Sequence, residues 1–327
     1  MHHEVESREP ASLAMRVTVL VVMIMPLIGL GFAIWSTWGW GFSWLYLTLL
    51  VTMYLATGLG ITIGYHRLFT HKSFETSRVV TFILGVLGSM AIEGPLIRWA
   101  AAHRKHHQHS DSALDPHSPN HFREAAKQDH AHAEHHDHDG AGAGAGAKAG
   151  IKAVLVGFWH AHIGWMFDEF PKDLDRYVPD LKRDRMLRVI TALFPLWVLL
   201  GLIIPTVIGG VVSGTWFGAL LGLAWGGLAR VFLVHHVTWS VNSVCHIWGT
   251  RAYKTSDLSR NNPIFGVLAL GEGWHNNHHA FPTSARHGLE WWQFDLSWIV
   301  IRGMEVLGLA RRVRVPSMER REGVRLR

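Results

Sequence analysis

The chain has 327 residues, 49% of them hydrophobic, with 16 Trp, one Cys and a formal net charge of +6; its mean hydropathy is positive. That composition suits a single multi-span membrane domain covering residues 1–327 and argues against a soluble one. With Cys245 alone, an intramolecular disulfide framework and any Cys-rich zinc or iron–sulfur site are excluded, leaving histidine as the available ligand type.

The amino-terminal tail, 1–16, is too charged before its apolar run to read as a cleaved leader. A bilayer crossing needs about 20 apolar residues. Four segments qualify: about Val17–Trp35, Ser43–Tyr65, Val189–Val212, and Thr215–Val234 with a polar continuation to His246. The links at 36–41 and near Ser213 carry no Lys or Arg, whereas 67–188 and the stretch from Arg251 onward are rich in both. By the positive-inside rule both termini and the long middle region are cytoplasmic, and the positive charge reports topology rather than nucleic-acid binding.

A fifth apolar run, Val79–Ile97, is interrupted by Glu93, Gly94 and Pro95. If it crossed, the histidines after it would lie on the opposite side from those before it, so it reads as a re-entrant or interfacial helix. Residues 118–150 contain His121, His130, His132, His135, His136 and His138 before Gly140-Ala-Gly-Ala-Gly-Ala-Gly, and read as a flexible, solvated insertion. Trp291–Leu309 alternates apolar and polar residues at helical spacing, with Asp295, Arg302 and Glu305 among the latter, and reads as an amphipathic helix lying on the membrane. Residues 311–327 form a basic tail suited to anionic lipid. The expected fold class is all-α: four transmembrane helices with a cytosolic helical cap carrying a histidine-ligated two-metal site.

Three histidine clusters carry the chemistry: His66-Arg-Leu-Phe-Thr-His71, His103-Arg-Lys-His106-His107 and His275-Asn-Asn-His278-His279. On an α-helix, positions i, i+3 and i+4 fall within an arc of about 100°, so each triplet can face one metal or straddle two. His66 and His71 are about 140° apart on an α-helix and need a helix end or a turn to converge. His246 ends the fourth span, with Asn242 one turn earlier. Imidazole is a ligand for iron, zinc and copper, and eight in three clusters exceed the four to six that one ion takes, so two metals are inferred. Asp111 and Asp115 are expected behind the ligands or as helix caps. Arg230, His235 and His236 lie in the fourth span or its continuation and are expected to line the interior near a tunnel mouth, or to form a satisfied polar network.

A histidine-rich zinc or iron transporter is the rival class. A carrier places ligands near the bilayer midplane, whereas these clusters lie at span ends and the first and third spans contain no ionisable side chain.

The order and wording of the clusters, with Gly64-Tyr65-His66-Arg67-Leu68-Phe69-Thr70-His71, Arg98-Trp99 before His103, and Gly271-Glu272-Gly273-Trp274-His275, resemble the three histidine boxes of the membrane fatty-acyl desaturases. The similarity runs from about Leu50 to Leu309 and is nearest to the stearoyl-CoA (acyl-CoA Δ9) type. The resemblance implies two iron ions held by His66, His71, His103, His106, His107, His246, His275, His278 and His279, with a water-bridged Asn242 and no catalytic side chain beyond the ligands. It implies O2 as co-substrate and insertion of a cis double bond into a saturated acyl chain, an acyl-CoA by this likeness. Trp99, Thr238 and Trp239 match positions lining a bent acyl tunnel, and Glu93 stands where animal members have glutamine. A methylene C–H bond is too strong for acid–base chemistry, which fits a redox metal. Hydroxylation and action on acyl lipids are the near alternatives. With no haem, flavin or ferredoxin segment in the chain, electrons are expected from a separate ferredoxin, rubredoxin or cytochrome b5 type protein with its reductase.

Overall fold

Apolar side chains dominate the outward faces of the longest helices: Leu20, Ile24, Leu27 and Ile28 on the first, and Leu199, Val207 and Val211 on the third, are exposed. Such faces need a lipid solvent. The computed structural model describes residues 8–9, 12–40, 42–112, 114–120, 142–167, 170–171 and 174–326, and is mostly helical. Four of its helices are long and apolar enough to cross a membrane: Leu13–Trp38, Trp44–Thr70, Phe194–Ser213 and Trp216–His246.

Helix α1, Leu13–Trp40, is a single 28-residue rod. The second span begins as α2, Trp44–Leu59, and continues as a π-helix, Gly60–Thr70, so it extends past the expected end at Tyr65 and carries the first histidine box with it. The third span starts later than expected, at Phe194. Pro195 opens it, and the preceding Arg185–Ala192 is a separate amphipathic helix capped by the Asp184 carboxylate. The third and fourth spans pack backbone to backbone: a Cβ on Gly222 would meet the Pro205 carbonyl oxygen at 2.2 Å. Small residues permit that approach where no hydrophobic force drives helices together.

Helix α3, Arg78–Ser89, is only 12 residues long. A break follows, and α4, Leu96–His109, turns the chain back toward the second span. The fifth apolar run therefore does not cross. A core of Ile61, Tyr65, Phe69, Leu96, Ile190 and Val234 joins the second span, α4, the Arg185–Ala192 helix and the fourth span.

Three expectations are corrected. The Gly/Ala stretch was expected to be loop, but Gly142–His162 is one helix, packed on the fourth span. Alanine is the strongest helix former, and helix propagates cheaply from an apolar segment that is already docked. The histidines from His121 to His138 lie outside the described residues. Only Leu296–Val306 of Trp291–Leu309 is helical, and Asp295 is not on a solvated face: it is 3% exposed and caps that helix at Trp298 N. Within the basic tail, Arg311 pairs as a strand residue with Glu75, and Arg321, 8% exposed, donates to the Tyr253 hydroxyl at 3.1 Å and to Glu290 at 2.9 Å. The end of the tail is folded onto the body through Arg321, while Arg311, Arg312, Arg314 and Arg320 remain exposed.

Candidate metal centre

The π-helix resolves the awkward spacing of the first box. A π-turn closes residue i onto i+5, and the His71 backbone N–H donates to the His66 carbonyl at 3.1 Å. The two rings meet at 4.7 Å between centroids, nearly perpendicular. On an α-helix the pair would need a helix end or a turn between them to converge. Here the helix continues and its winding changes.

Helix α4 presents His103, His106 and His107, the short helix His275–Ala280 presents the third box, and His246 sits in the 3-10 turn Val244–His246. Gly271, at φ +119°, precedes the third box; a Cβ there would fall 2.2 Å from Asp295 Oδ1, so only glycine lets the two segments meet.

All nine expected imidazoles converge in two groups. His66, His71, His103, His107 and His278 form one, and His106, His246, His275 and His279 the other; within each group the ligand atoms lie within 4.8 Å of one another. Nitrogens face nitrogens: His66 Nε2 and His278 Nε2 are 3.1 Å apart, His278 and His107 Nε2 2.9 Å, His246 and His275 Nε2 3.0 Å. Neutral imidazole offers one donor and one acceptor. Five or four lone pairs aimed at one point are satisfied together by a cation, and His71 Nε2 is buried without a hydrogen-bond partner among the described residues. The donor set thus fits two metal ions of the imidazole-preferring kind, iron, zinc or copper.

Carboxylates grip the far sides of four of these rings. Glu272 Oε2 lies 2.6 Å from His66 Nδ1, Asp115 3.0 Å from His106 Nδ1, Asp111 Oδ2 3.0 Å from His246 Nδ1, and Asp257 Oδ2 2.8 Å from His279 Nδ1. The three aspartates hydrogen-bond their rings and fix them with Nε2 pointing inward, and Glu272 lies in close contact with the His66 ring. Asp111 and Asp115 therefore stand behind ligands and are not helix caps; Asp111 also accepts from Ser118, Asn120 and the Leu258 amide. Burial opposes charge on these acids, but His246 prevails for Asp111, His279 for Asp257 and His66 for Glu272, and holds each well below the carboxylate range. Burial also holds His71, His103, His107, His275 and His278 well below the usual imidazole value, helped by their neighbouring imidazoles. They are neutral at pH 7, as a ligand must be.

Glu272, Asp257 and His287 were not singled out from the sequence. Glu272 had a local signal, lying three residues before His275. Asp257 and His287 had none, because their partners are distant along the chain. His287 Nδ1 is 3.1 Å from Glu272 Oε2, and Arg67, fully buried, bridges Glu272 and Asp295.

A cavity of about 570 Å³ reaches both groups, and Glu93, Trp99, Thr238, Trp239 and Asn242 line it together with His66 and His103 of the first and His275 of the second. Trp99 stacks on His103 with ring centroids 5.0 Å apart and its indole donates to Glu93 at 3.2 Å. Arg230, His235 and His236 do not line this cavity. Arg230 donates to the carbonyls of Met90, Gly201 and Gly226, His235 lies 3.0 Å from the Ala91 carbonyl, and His236 pairs with His162 at 3.1 Å. They form the polar network because unpaired charge inside a span is costly.

A helical membrane protein whose nine histidines form two adjoining metal-binding groups, beside an apolar cavity, defines a narrow class. The fatty acid desaturase family model matches residues 42–305. The chain is 39% identical over 308 residues to the Hex-5-enoyl-(acyl-carrier protein) acetylenase of Moorena producens (strain JHB), covering 94% of this chain and 88% of that protein. It is 36% identical to the Delta-9 acyl-lipid desaturase 1 of Arabidopsis thaliana, covering 82% and 75%, and 36% identical to the Acyl-CoA C20 Delta5-desaturase of Anemone leveillei, covering 81% and 72%. The chain belongs to the fatty acid desaturase family.

Proposed function

We propose that this protein is an O2-dependent di-iron desaturase that inserts a cis double bond at Δ9 of a saturated acyl chain carried as a thioester. The observation that carries this reading is the juxtaposition of the two imidazole groups with the apolar cavity. Iron, when bound by the nine histidines, supplies the one-electron chemistry with O2 that an unactivated C–H bond requires. The protein's own part is orientation. Asp111, Asp115 and Asp257 lock three rings in one tautomer, and Asn242, on the cavity wall one turn before His246, would reach the second group through a water. Trp99, Thr238, Trp239 and Glu93 would hold one methylene pair against the metal site, so that position is chosen by geometry. Electrons come from a separate carrier protein, and the site and both termini face the cytoplasm by the distribution of Lys and Arg.

The relatives named above are described as acting on chains carried on a lipid, on CoA or on a carrier protein. The test is expression in a host lacking such activity, with the double bond located by mass spectrometry and purified protein supplied with stearoyl-CoA, stearoyl-carrier protein or a stearoyl glycerolipid. A Δ9 cis product from a thioester is expected. Product only from the glycerolipid corrects the carrier, a hydroxylated chain corrects the reaction, and zinc in place of iron with no product defeats the reading.

A further inference from the structure

Glu93 occupies the break between α3 and α4, where Ile92 has φ +66° and Gly94 φ +107°. Left-handed backbone at a β-branched residue is strained and persists only where its surroundings impose it. Here they do: Arg230 donates to the Met90 carbonyl at 2.7 Å, and His235 Nε2 lies 3.0 Å from the Ala91 carbonyl. The clamped turn puts the Glu93 carboxyl on the cavity wall. Its Oε2 accepts from the Trp99 indole at 3.2 Å, whereas Oε1 is buried with no hydrogen-bond partner among the described residues.

The titratable and charged groups around it or sharing its cavity are Tyr54 on α2, Tyr65 and His66 on the π-helix, Arg98, His103 and Lys105 on α4, Asp115 and His117 after it, His160 on the Gly142–His162 helix, Arg230 and His235 on the fourth span, and Glu272 and His275 at the third box. Helix α1 presents no ionisable side chain to the cavity. Burial pushes the Glu93 carboxyl up to about 7.

We propose that an acyl chain enters this cavity together with one proton, which resides on Glu93. The inference rests on the acyl-chain reading of the cavity given above. A methylene chain laid against Oε1 offers no hydrogen bond, and a carboxylate facing hydrocarbon neutralises rather than remain charged. Chain binding and protonation are therefore linked. Below Glu93's ligand-free value the group already carries its proton and affinity is independent of pH. Above it, each pH unit weakens chain binding by about tenfold. Glutamine is neutral, nearly isosteric, and still accepts from Trp99, so Glu93→Gln removes the proton requirement while keeping the bend.

The test is titration calorimetry of the full-length, detergent-solubilised protein with stearoyl-CoA, from about pH 6 to about pH 9, in buffers of different ionisation heat. Native protein is expected to take up one proton in the alkaline half, with affinity falling there by about tenfold per unit. Glu93→Gln is expected to bind with flat affinity and no uptake. Glu93→Leu, a second neutral variant, is expected to be equally flat. Affinity independent of pH in the native protein, or the same slope in Glu93→Gln, overturns the proposal alone. Failure of stearoyl-CoA, stearoyl-carrier protein and a stearoyl glycerolipid all to bind removes the acyl-chain reading, and this inference with it.

Discussion

His71 hydrogen-bonds across five residues to the carbonyl of His66, and that single π-type closure brings both rings of the first histidine box to one point. The winding depends on close packing of the second span against α3, where a Cβ on Gly60 would lie 2.3 Å from the Gly88 backbone nitrogen. Gly60→Ala should therefore lower stability by about 1–3 kcal/mol, as overpacking does, and reduce metal content. Thermal unfolding and iron analysis in detergent measure both; a native melting temperature with full iron would show that the packing is not needed.

Loss of one ligand from each group should separate the two metals. His107→Ala removes a ring from the group of five and His279→Ala one from the group of four. Each variant is expected to lose turnover and about half of the metal while remaining in the membrane fraction, given that four to six ligands serve each ion. Full activity in both variants would falsify the ligand assignment.

Asp257 and Glu272 both hold ring Nδ1 atoms, but their removal should differ in severity. Asp257→Asn keeps a polar group beside His279 and should weaken metal affinity by about 10–100-fold. Glu272→Gln also removes one of the two carboxylates that the fully buried Arg67 bridges, leaving it Asp295 alone, so it should lower stability further, by less than the cost of about 3–5 kcal/mol for orphaning a buried charge. Competition with a chelator gives the affinities, and denaturant titration the stabilities. Equal stability in the two variants would contradict the coupling through Arg67.

Acid should release metal before it breaks the carboxylate contacts. Burial pushes the His279 imidazole down to about 4 from 6.5, so the folded protein favours its neutral form. That contribution is fully present above 6.5 and is lost as pH falls from there through about 4. Asp115 is shifted in the same direction but in a lower window: although burial opposes its charge, His106 holds it down to about 2 from 3.8, and its contribution is present above 3.8 and fades only as pH falls through about 2. Iron retention measured after equilibration at decreasing pH should decline in the first window. Retention down to the second window would refute the order.

The sequence by itself determined much of the site. Three boxes at i, i+3, i+4 spacing and four lipid-length apolar runs follow from local periodicity, and a parity argument over Val79–Ile97 kept the second box with the first. These features are legible because helix face and span length are set by residues close together in the chain. Tertiary structure decided how the metal ligands are held and how they are divided. His278 joins the group of five while its neighbours His275 and His279 join the other group, a partition that spacing cannot express. Asp257, His287 and Asp295 acquire roles through contacts with residues far along the chain. Arg230 and His235, which the sequence left between a tunnel mouth and a satisfied polar network, form the network and staple the turn that carries Glu93. Such long-range contacts are fixed when the cap folds onto the ends of the spans, where each buried charge or imidazole must find a partner, and no local pattern records which partner it finds.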